Sequence, residues 1–277
     1  MHPPTGTLWV VATPIGHLDD LSPRAADTLR RAALIAAEDT RHSRPLLAHY
    51  GIATALTALH EHNEREAVAA LLARLAAGDD VALIADAGTP LISDPGYRLV
   101  RAARVAGFRV SPVPGACAAI AALSVAGLAS DRFVFEGFLP AKPAARCARL
   151  QVLAGEPRTL VFYESSHRIE ESLVDVATVF GPEREAVLAR ELTKRFETVL
   201  ALPLGALAAR VAADADQRRG EFVLLVAGRA EAEDVRLPEG RRVFALLREE
   251  LPPARAARLA AAITGAPRRV LYAGNDD

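Results

Sequence analysis

Along the first half of the chain, apolar runs of strand length alternate with segments whose apolar residues recur at helical spacing. The runs fall at 8–13, 33–37, 55–59, 81–85 and 110–113, and each gives way to a polar or Gly/Pro loop before the next helical stretch. This repeat predicts a parallel sheet, because parallel neighbours need a connection long enough to hold a helix. The punctuation agrees. Ser22 and Pro23 read as N-cap and first helical residue, Gly78 closes a helix that starts near Glu64, and Gly115 precedes an alanine-rich helix ending near Leu128.

Five more strand-like runs follow at 133–138, 159–164, 186–191, 197–202 and 222–227. Fewer helical segments separate them, so their pairing is expected to be at least partly antiparallel. The pattern predicts a two-domain α/β protein, with a parallel-sheet α/β domain over 5–128 and a mixed-sheet α+β domain over 129–230. The boundary falls near Gly127 to Asp131. Pro140-Ala141-Lys142-Pro143 is a further break inside the second domain and reads as a mobile loop. From about Leu237 the text turns to Arg/Ala-rich helical stretches at 241–250 and 254–264, with Gly265-Ala266-Pro267 as a break before Arg268-Arg269. A helical extension over 237–272, of helix-turn-helix kind, is expected there.

Composition narrows the function classes. Hydrophobic residues make up 51% of the 277 positions, yet no stretch approaches the roughly 20 apolar residues that span a bilayer. The N-terminus carries neither a basic leader nor a cleavage pattern, so a soluble, cytoplasmic protein is expected. Cys117 and Cys147 lie far apart and outside any CxxC spacing, which indicates neither a disulfide framework nor a zinc site. A net charge of −1 argues against a protein that coats nucleic acid by bulk charge and leaves any RNA contact to a local patch. Lys142 and Lys194 are the only lysines, so the cations are arginine forks suited to phosphate and base edges.

The loops at the carboxyl ends of parallel strands are where open α/β sheets bind ligands. Three of them combine glycine with proline: Thr13-Pro14-Ile15-Gly16-His17-Leu18, the eleven residues from Asp86 to Gly96, and Pro112-Val113-Pro114-Gly115-Ala116. Such loops build a rigid pocket lined by main chain. Candidate ligand contacts on this reading include Pro14, Gly16, Asp86, Ala87, Ile92 and Asp94. Neither GxGxxG nor GxxxxGK[ST] occurs, which removes the usual dinucleotide and P-loop motifs.

The strings TPIGHL, AAEDTRHS, LHEHNE, DAGTPLISDPGYRLV, VPGACAAIAAL, DRFVFEGFLP, FYESSHRI and ARELTKRFETV follow one another from about Gly6 to Gly228. In order and spacing the set resembles the ribosomal RNA small subunit methyltransferase I family of the tetrapyrrole-methylase superfamily. The resemblance implies a homodimer of two-domain chains that binds S-adenosylmethionine between the domains. It implies methylation of a cytidine ribose 2′-hydroxyl in the decoding centre of 16S ribosomal RNA, acting on the RNA or on the 30S subunit. By motif correspondence, Gly88-Thr89-Pro90 and Pro114-Gly115-Ala116 would wall the cofactor, with Tyr163-Glu164 and Arg190-Glu191 closing the site. His17 stands where the family usually has asparagine, and Ala116 where proline is common. The segment 271–277 ends early and acidic for the family.

A ribose hydroxyl is a very weak acid, so transfer needs in-line placement, exclusion of water and a group to take the proton. The candidates are Asp39, Asp86, Asp94, Glu164, Glu191 and Lys194. Glu164 and Lys194 lead the catalytic set, joined by Asp39 and by Arg41, a candidate phosphate contact. His60-Glu61-His62-Asn63-Glu64 invites a metal reading, but strand alternation separates His60 and His62 from Glu61, and nothing completes a ligand set. Two other functions share parts of this pattern: carbon methylation of a tetrapyrrole, and a non-catalytic ribosome-assembly protein.

Overall fold

The computed structural model describes residues 6–60, 63–229 and 236–273. They form two compact units, Met1–Ala227 and Gly228–Asp277.

The larger unit opens with β1 (Thr7–Val11), α1 (Pro23–Arg31), β2 (Leu34–Ala37), α2 (Thr40–His49), β3 (Leu56–Ala58), α3 (Glu64–Ala76), β4 (Val81–Ile84), α4 (Tyr97–Val105) and β5 (Arg109–Val113). The five strands form one fully parallel sheet in the order β3-β2-β4-β1-β5. Alternation along the strands feeds two cores. Ile35, Ala37, Ala82 and Ile84 pack with Leu29 of α1 and Leu47 of α2, whereas Ala36, Val81 and Leu83 pack with Leu71 of α3 and Leu99 of α4. Both faces are covered, which is why these strands read as continuous apolar runs. Ser22 accepts from the Ala25 N–H at 3.1 Å and Pro23 occupies the first turn, as the sequence predicted for α1.

Next come α5 (Ala118–Ala126), β6 (Phe133–Phe138), α6 (Pro143–Leu153), β7 (Thr159–Ser165), α7 (Ile169–Phe180), β8 (Glu185–Arg190), β9 (Thr198–Pro203), α8 (Leu204–Ala213) and β10 (Glu221–Val226). The second sheet runs β6-β7-β10-β8-β9, parallel only between β6 and β7. One face packs under α6, α7 and α8 around Phe162, Leu188 and Leu224. Full burial of Phe162 alone is worth about 1.5–3 kcal/mol. The other face carries α5, whose Ala119, Ala122, Leu123 and Ala126 meet Val161, Val187 and Val223. Thus α5 follows the first sheet in sequence but packs on the second.

The Pro140–Pro143 break is the start of α6 and is tied down on both sides. Arg146, 1% exposed, donates to the Ala141 carbonyl at 3.4 Å and pairs with Asp175 at 2.6 Å. Arg168 donates to the Leu139 carbonyl at 3.1 Å. These contacts hold a segment that looks mobile in the sequence, because the partners of Arg146 come from a helix nearly thirty residues away.

The smaller unit holds α9 (Leu237–Arg248), α10 (Pro253–Thr264) and α11 (Arg268–Ala273) around Phe244, Ala256, Ala257, Ala260 and Leu271. Gly265 caps α10 in the left-handed conformation, φ 72°, and the chain after the Pro267 break returns to helix. No helix among the described residues is long and apolar enough to cross a membrane.

Candidate active site

The three glycine- and proline-bearing loops of the first sheet are stitched into one wall by main-chain hydrogen bonds. The Thr13 N–H donates to the Gly88 carbonyl at 2.9 Å, and the Gly88 N–H donates back to Thr13 at 3.1 Å. Gly88 holds φ 78°, a left-handed backbone that a side chain strains. A Cβ there would also sit 3.2 Å from Ile15. The Thr89 hydroxyl then donates to the Ala116 carbonyl at 2.9 Å, joining the third loop.

Opposite this wall stands the second sheet. Because β10 lies between β7 and β8, Phe222 is in register with both Glu164 and Arg190, and Val223 with Tyr163. That pairing brings two distant motifs to one edge. A cavity of about 560 Å³ opens between the lobes of this unit, bordered by 86–89 and 92–94 on one side and by 163–167 and 220–223 on the other. Ile15, Glu38, Cys117, Phe138, Leu192 and Lys194 complete much of the lining.

Both borders carry strained backbone. Leu91 and Ser93 have φ 74° and 71°, and Glu191 and Thr193 have φ 51° and 62°, all without the help of glycine. Each such residue costs of order 1–3 kcal/mol and persists only where neighbours over-determine it. Some of those neighbours are visible. A Cβ on Gly137, at the bulge of β6, would meet the Ser93 hydroxyl at 2.9 Å, and one on Gly16 would meet the Leu192 carbonyl at 2.9 Å.

Among the residues singled out in the sequence, Asp86, Ala87, Gly88, Thr89, Ile92, Asp94, Tyr163, Glu164 and Lys194 border the cavity. Pro14, Pro90, Pro114, Gly115 and Ala116 do not line it. Gly115 lies against Ala12, where a Cβ would come within 3.0 Å, and Ala116 supplies the carbonyl for Thr89. Gly16 is where the first loop touches the 192–194 segment. Arg190 is buried and spends its guanidinium on the Arg219 and Phe196 carbonyls, at 2.7 and 2.8 Å. Asp39 caps α2, and Arg41 folds back on it with a 2.7 Å ion pair while 88% exposed. That pairing holds the Asp39 carboxyl well below the usual carboxylate range.

The carboxylates at the cavity, and Glu191 beside it but outside its lining, differ in how they are engaged. Glu164, 4% exposed, accepts from the Ser165 N–H at 2.8 Å and Arg168 at 2.8 Å on one oxygen, and from Ser172 at 2.7 Å on the other. Lys194 bridges Glu191 at 2.9 Å and Glu221 at 2.7 Å. Burial alone would lower the lysine pKa, but hydrogen bonds and charge from Glu221 and Glu191 together raise it, so the ammonium stays charged. Partial burial likewise works against ionised Glu191, yet Lys194 and the Glu221 N–H hold its carboxyl below the ordinary value. One lysine between two carboxylates leaves a net negative cluster, unsuited to a phosphate. Asp86 accepts from the Asp39 N–H at 3.0 Å. Asp94 is pushed up to about 7, chiefly by burial and then by the charges of Glu38 and Asp86. Burial also raises the Tyr163 hydroxyl, which accepts from the Ala119 N–H at 3.1 Å.

Sequence reasoning left out Glu38, His167 and the 220–223 strand start. His167 lies in a motif already quoted, but only the β7-β10 pairing reveals that Gly220 to Val223 reach the same cavity. Of the His/Glu cluster, Glu61 and His62 lie outside the described residues. Asn63 accepts from the His60 N–H at 2.9 Å, and buried Glu64 accepts from the Arg98 N–H at 3.0 Å, docking α3 on the start of α4. No group of three or more His, Cys, Asp or Glu among the described residues is placed to hold a metal ion.

Comparison with known proteins fits this architecture. Residues 7–208 match the family Tetrapyrrole (Corrin/Porphyrin) Methylases, and residues 234–273 match the RsmI C-terminal HTH domain. The chain is 62% identical to the ribosomal RNA small subunit methyltransferase I of Xylella fastidiosa, covering 97% of this chain and 98% of the relative. It is also 62% identical to the protein of that name from Pseudomonas aeruginosa, covering 96% and 95%. Among solved structures, uroporphyrin-III C-methyl transferase from Thermus thermophilus complexed with S-adenyl homocysteine shares the fold, with a TM-score of 0.56 at 20% identity over 79% of this chain and 96% of that one. The chain therefore belongs to the tetrapyrrole methylases, within the ribosomal RNA small subunit methyltransferase I family.

Proposed function

We propose that this chain transfers the methyl group of S-adenosylmethionine to the ribose 2′-hydroxyl of a cytidine in the decoding centre of 16S ribosomal RNA. One observation carries the reading. A cavity walled by glycine main chain and by the carboxylates of Glu38, Asp86 and Asp94 lies in a chain that matches, over nearly its full length, relatives named for methylating small-subunit ribosomal RNA.

The residues present suit the donor. The volume is in the range of small-molecule sites, roughly 300–1,000 Å³. The carboxylates of one wall are complementary to a cationic sulfur and amine. Ile15, Leu192 and Val223 offer apolar surface for a heterocycle, and the 86–89 main chain offers hydrogen-bonding groups. Bound there, S-adenosylmethionine would supply a methyl group made electrophilic by its sulfonium. The chain's own work is to hold, orient and dry the reactants. The pinned loops fix the wall, the strained segments at 91–93 and 191–193 bring Ile92, Ser93 and Leu192 to the cavity, and Phe138 and Phe222 limit water there. Glu164, with both oxygens engaged, is a positioning residue that fixes Arg168 and Ser172. Lys194, held as a cation, orders the 191–194 segment against Glu221.

We infer further that the enzyme works as a cytoplasmic homodimer, on ribosomal RNA or the 30S subunit. Support for self-association comes from exposed apolar residues on α5, Ile120 and Val125, and on the edge strand β9, Val199 and Leu202. The reading is tested by incubating the protein with labelled S-adenosylmethionine and 30S subunits that lack the modification. Label is expected in RNA. Label in a tetrapyrrole but not in RNA would overturn the assignment, and binding without transfer to any RNA would support an assembly role instead.

A further inference from the structure

Phe138 is placed at the cavity by an irregularity in its strand. Along a regular strand, residues three apart point to opposite faces of the sheet, so Phe135 and Phe138 should face apart. In β6 the register slips by one residue between Phe135 and Gly137, which pair with the consecutive Val161 and Phe162, and Gly137 takes φ 67°. The extra residue, Glu136, turns Phe138 back to the side of Phe135. Both rings therefore meet Tyr163 in T-shaped contact, at centroid distances of 5.0 and 5.7 Å. Their surroundings differ. Phe135 packs with the core under α5, whereas Phe138 belongs to neither core of this sheet, borders the cavity and is 52% exposed. Its main chain is nonetheless fixed. Buried Leu139 follows, and the Leu139 carbonyl accepts from Arg168 at 3.1 Å, itself paired with Glu164 at 2.8 Å. A bulge that re-aims a ring to the open edge of a cavity, next to a pinned main chain, marks a ring that meets a ligand.

We propose that Phe138 is the platform on which the nucleobase of the acceptor nucleotide stacks, which places its ribose beside the methyl donor. The proposal rests on the function proposed above. Charge selects the face that the nucleotide presents. Lys194 stands between Glu191 and Glu221, and Glu38 and Asp86 line the first sheet's side, so the cavity is net acidic and repels a phosphate. A nucleobase is flat and uncharged, and stacking on an aromatic side chain is a main way in which proteins hold single nucleotides of RNA. The donor has other partners, because its cationic centre suits the carboxylate wall and Ile15, Leu192 and Val223 offer it apolar surface. A polymer arriving from solvent reaches the exposed edge of the cavity first, and Phe138 lies there. A phenyl ring has no hydrogen-bonding group, so it fixes the plane of the base and leaves its identity to other contacts.

Substitutions at Phe138 test this through two readouts, donor affinity and methyl transfer to unmodified 30S subunits. Removing a stacked ring costs about 5- to 150-fold per base, so Phe138→Ala should lower kcat/KM for the subunit by that factor. The loss should fall chiefly on KM, because a stack made before transfer persists through it. Titration calorimetry should put S-adenosylmethionine affinity within about threefold of the parent. Phe138→Leu keeps apolar bulk at the cavity but has no π face, and it should lose nearly as much as Phe138→Ala. Phe138→Tyr and Phe138→Trp should recover most of that loss. Parent kcat/KM in Phe138→Leu would reduce the ring to packing and overturn the proposal. A donor affinity that falls in step with loss of the ring would overturn it too, by putting the donor's adenine on Phe138. Either result leaves the site reading intact. A parent protein that binds the donor yet labels no RNA would overturn the function on which the proposal rests.

Discussion

Gly16 is where the first strand loop meets the 192–194 segment, so replacing it by alanine tests whether that contact shapes the cavity. A Cβ there would lie 2.5 Å from the Lys194 Cγ, 2.7 Å from the Thr193 hydroxyl and 2.9 Å from the Leu192 carbonyl. The hydroxyl can rotate away, but the Leu192 carbonyl is backbone, so one loop must move. Overpacking of this kind costs about 1–3 kcal/mol. Unfolding entropy of about 2.1 cal/mol/K per residue gives roughly 480 cal/mol/K for a unit this size, so Tm should fall by about 2–6 °C. Leu192 and Lys194 line the cavity, and S-adenosylmethionine affinity should drop about tenfold, some 1.4 kcal/mol. Differential scanning calorimetry and titration calorimetry measure the two effects. Gly155→Ala is the control, because its Cβ meets nothing within 4 Å, and it should stay within about 0.5 kcal/mol of the parent. If Gly16→Ala keeps both Tm and affinity, the two segments do not depend on each other as argued.

Gly88→Val puts a β-branched residue at φ 78° against Ile15, so it should cost at least about 1–2 kcal/mol in strain and abolish S-adenosylmethionine binding; calorimetry showing parent affinity would contradict this. Arg146→Ala leaves Asp175 without its buried partner and should cost roughly 3–5 kcal/mol in urea unfolding, with a loss under about 1 kcal/mol counting against the anchor at the Pro140–Pro143 turn. Asp94 binds its proton more tightly folded than unfolded, so its favourable contribution is complete below about pH 4 and is lost as pH rises through about 7. A full shift of that size is about 4 kcal/mol, and solvent screening of a partly exposed group reduces it to about 1–2 kcal/mol. Asp94→Asn should therefore gain that much stability relative to the parent between pH 4.5 and pH 8, and equal differences at the two pH values in denaturant titrations would refute it.

Much of the fold was legible because its signals are local. All ten strands coincide with runs visible in the sequence, the central ones as continuous apolar text because both sheet faces are covered there, and Ser22-Pro23 marks the start of α1 unambiguously. Long-range partners were not legible. The packing of α5 on the second sheet and the seating of β10 between β7 and β8 are decided by tertiary burial, and with them the arrival of Gly220 to Val223 at the cavity. The site shows the same division. Loops after β1 and β4 announced themselves through glycine and proline, whereas Leu91, Ser93, Glu191 and Thr193 adopt left-handed backbone that their side chains do not advertise. Charge roles were the least legible, because Glu164, Arg190 and Lys194 look reactive as residue types and only their partners show them engaged.

The central claim is that the cavity between the two sheets brings a methyl donor to one ribose oxygen of small-subunit RNA. Its most direct test is mass-spectrometric mapping of unmodified 30S RNA after incubation with the protein and isotopically labelled S-adenosylmethionine. The account predicts a single labelled cytidine, in the decoding centre, with the label on the ribose 2′-oxygen. Label on a base, at scattered positions, or absent from RNA despite bound donor would contradict it.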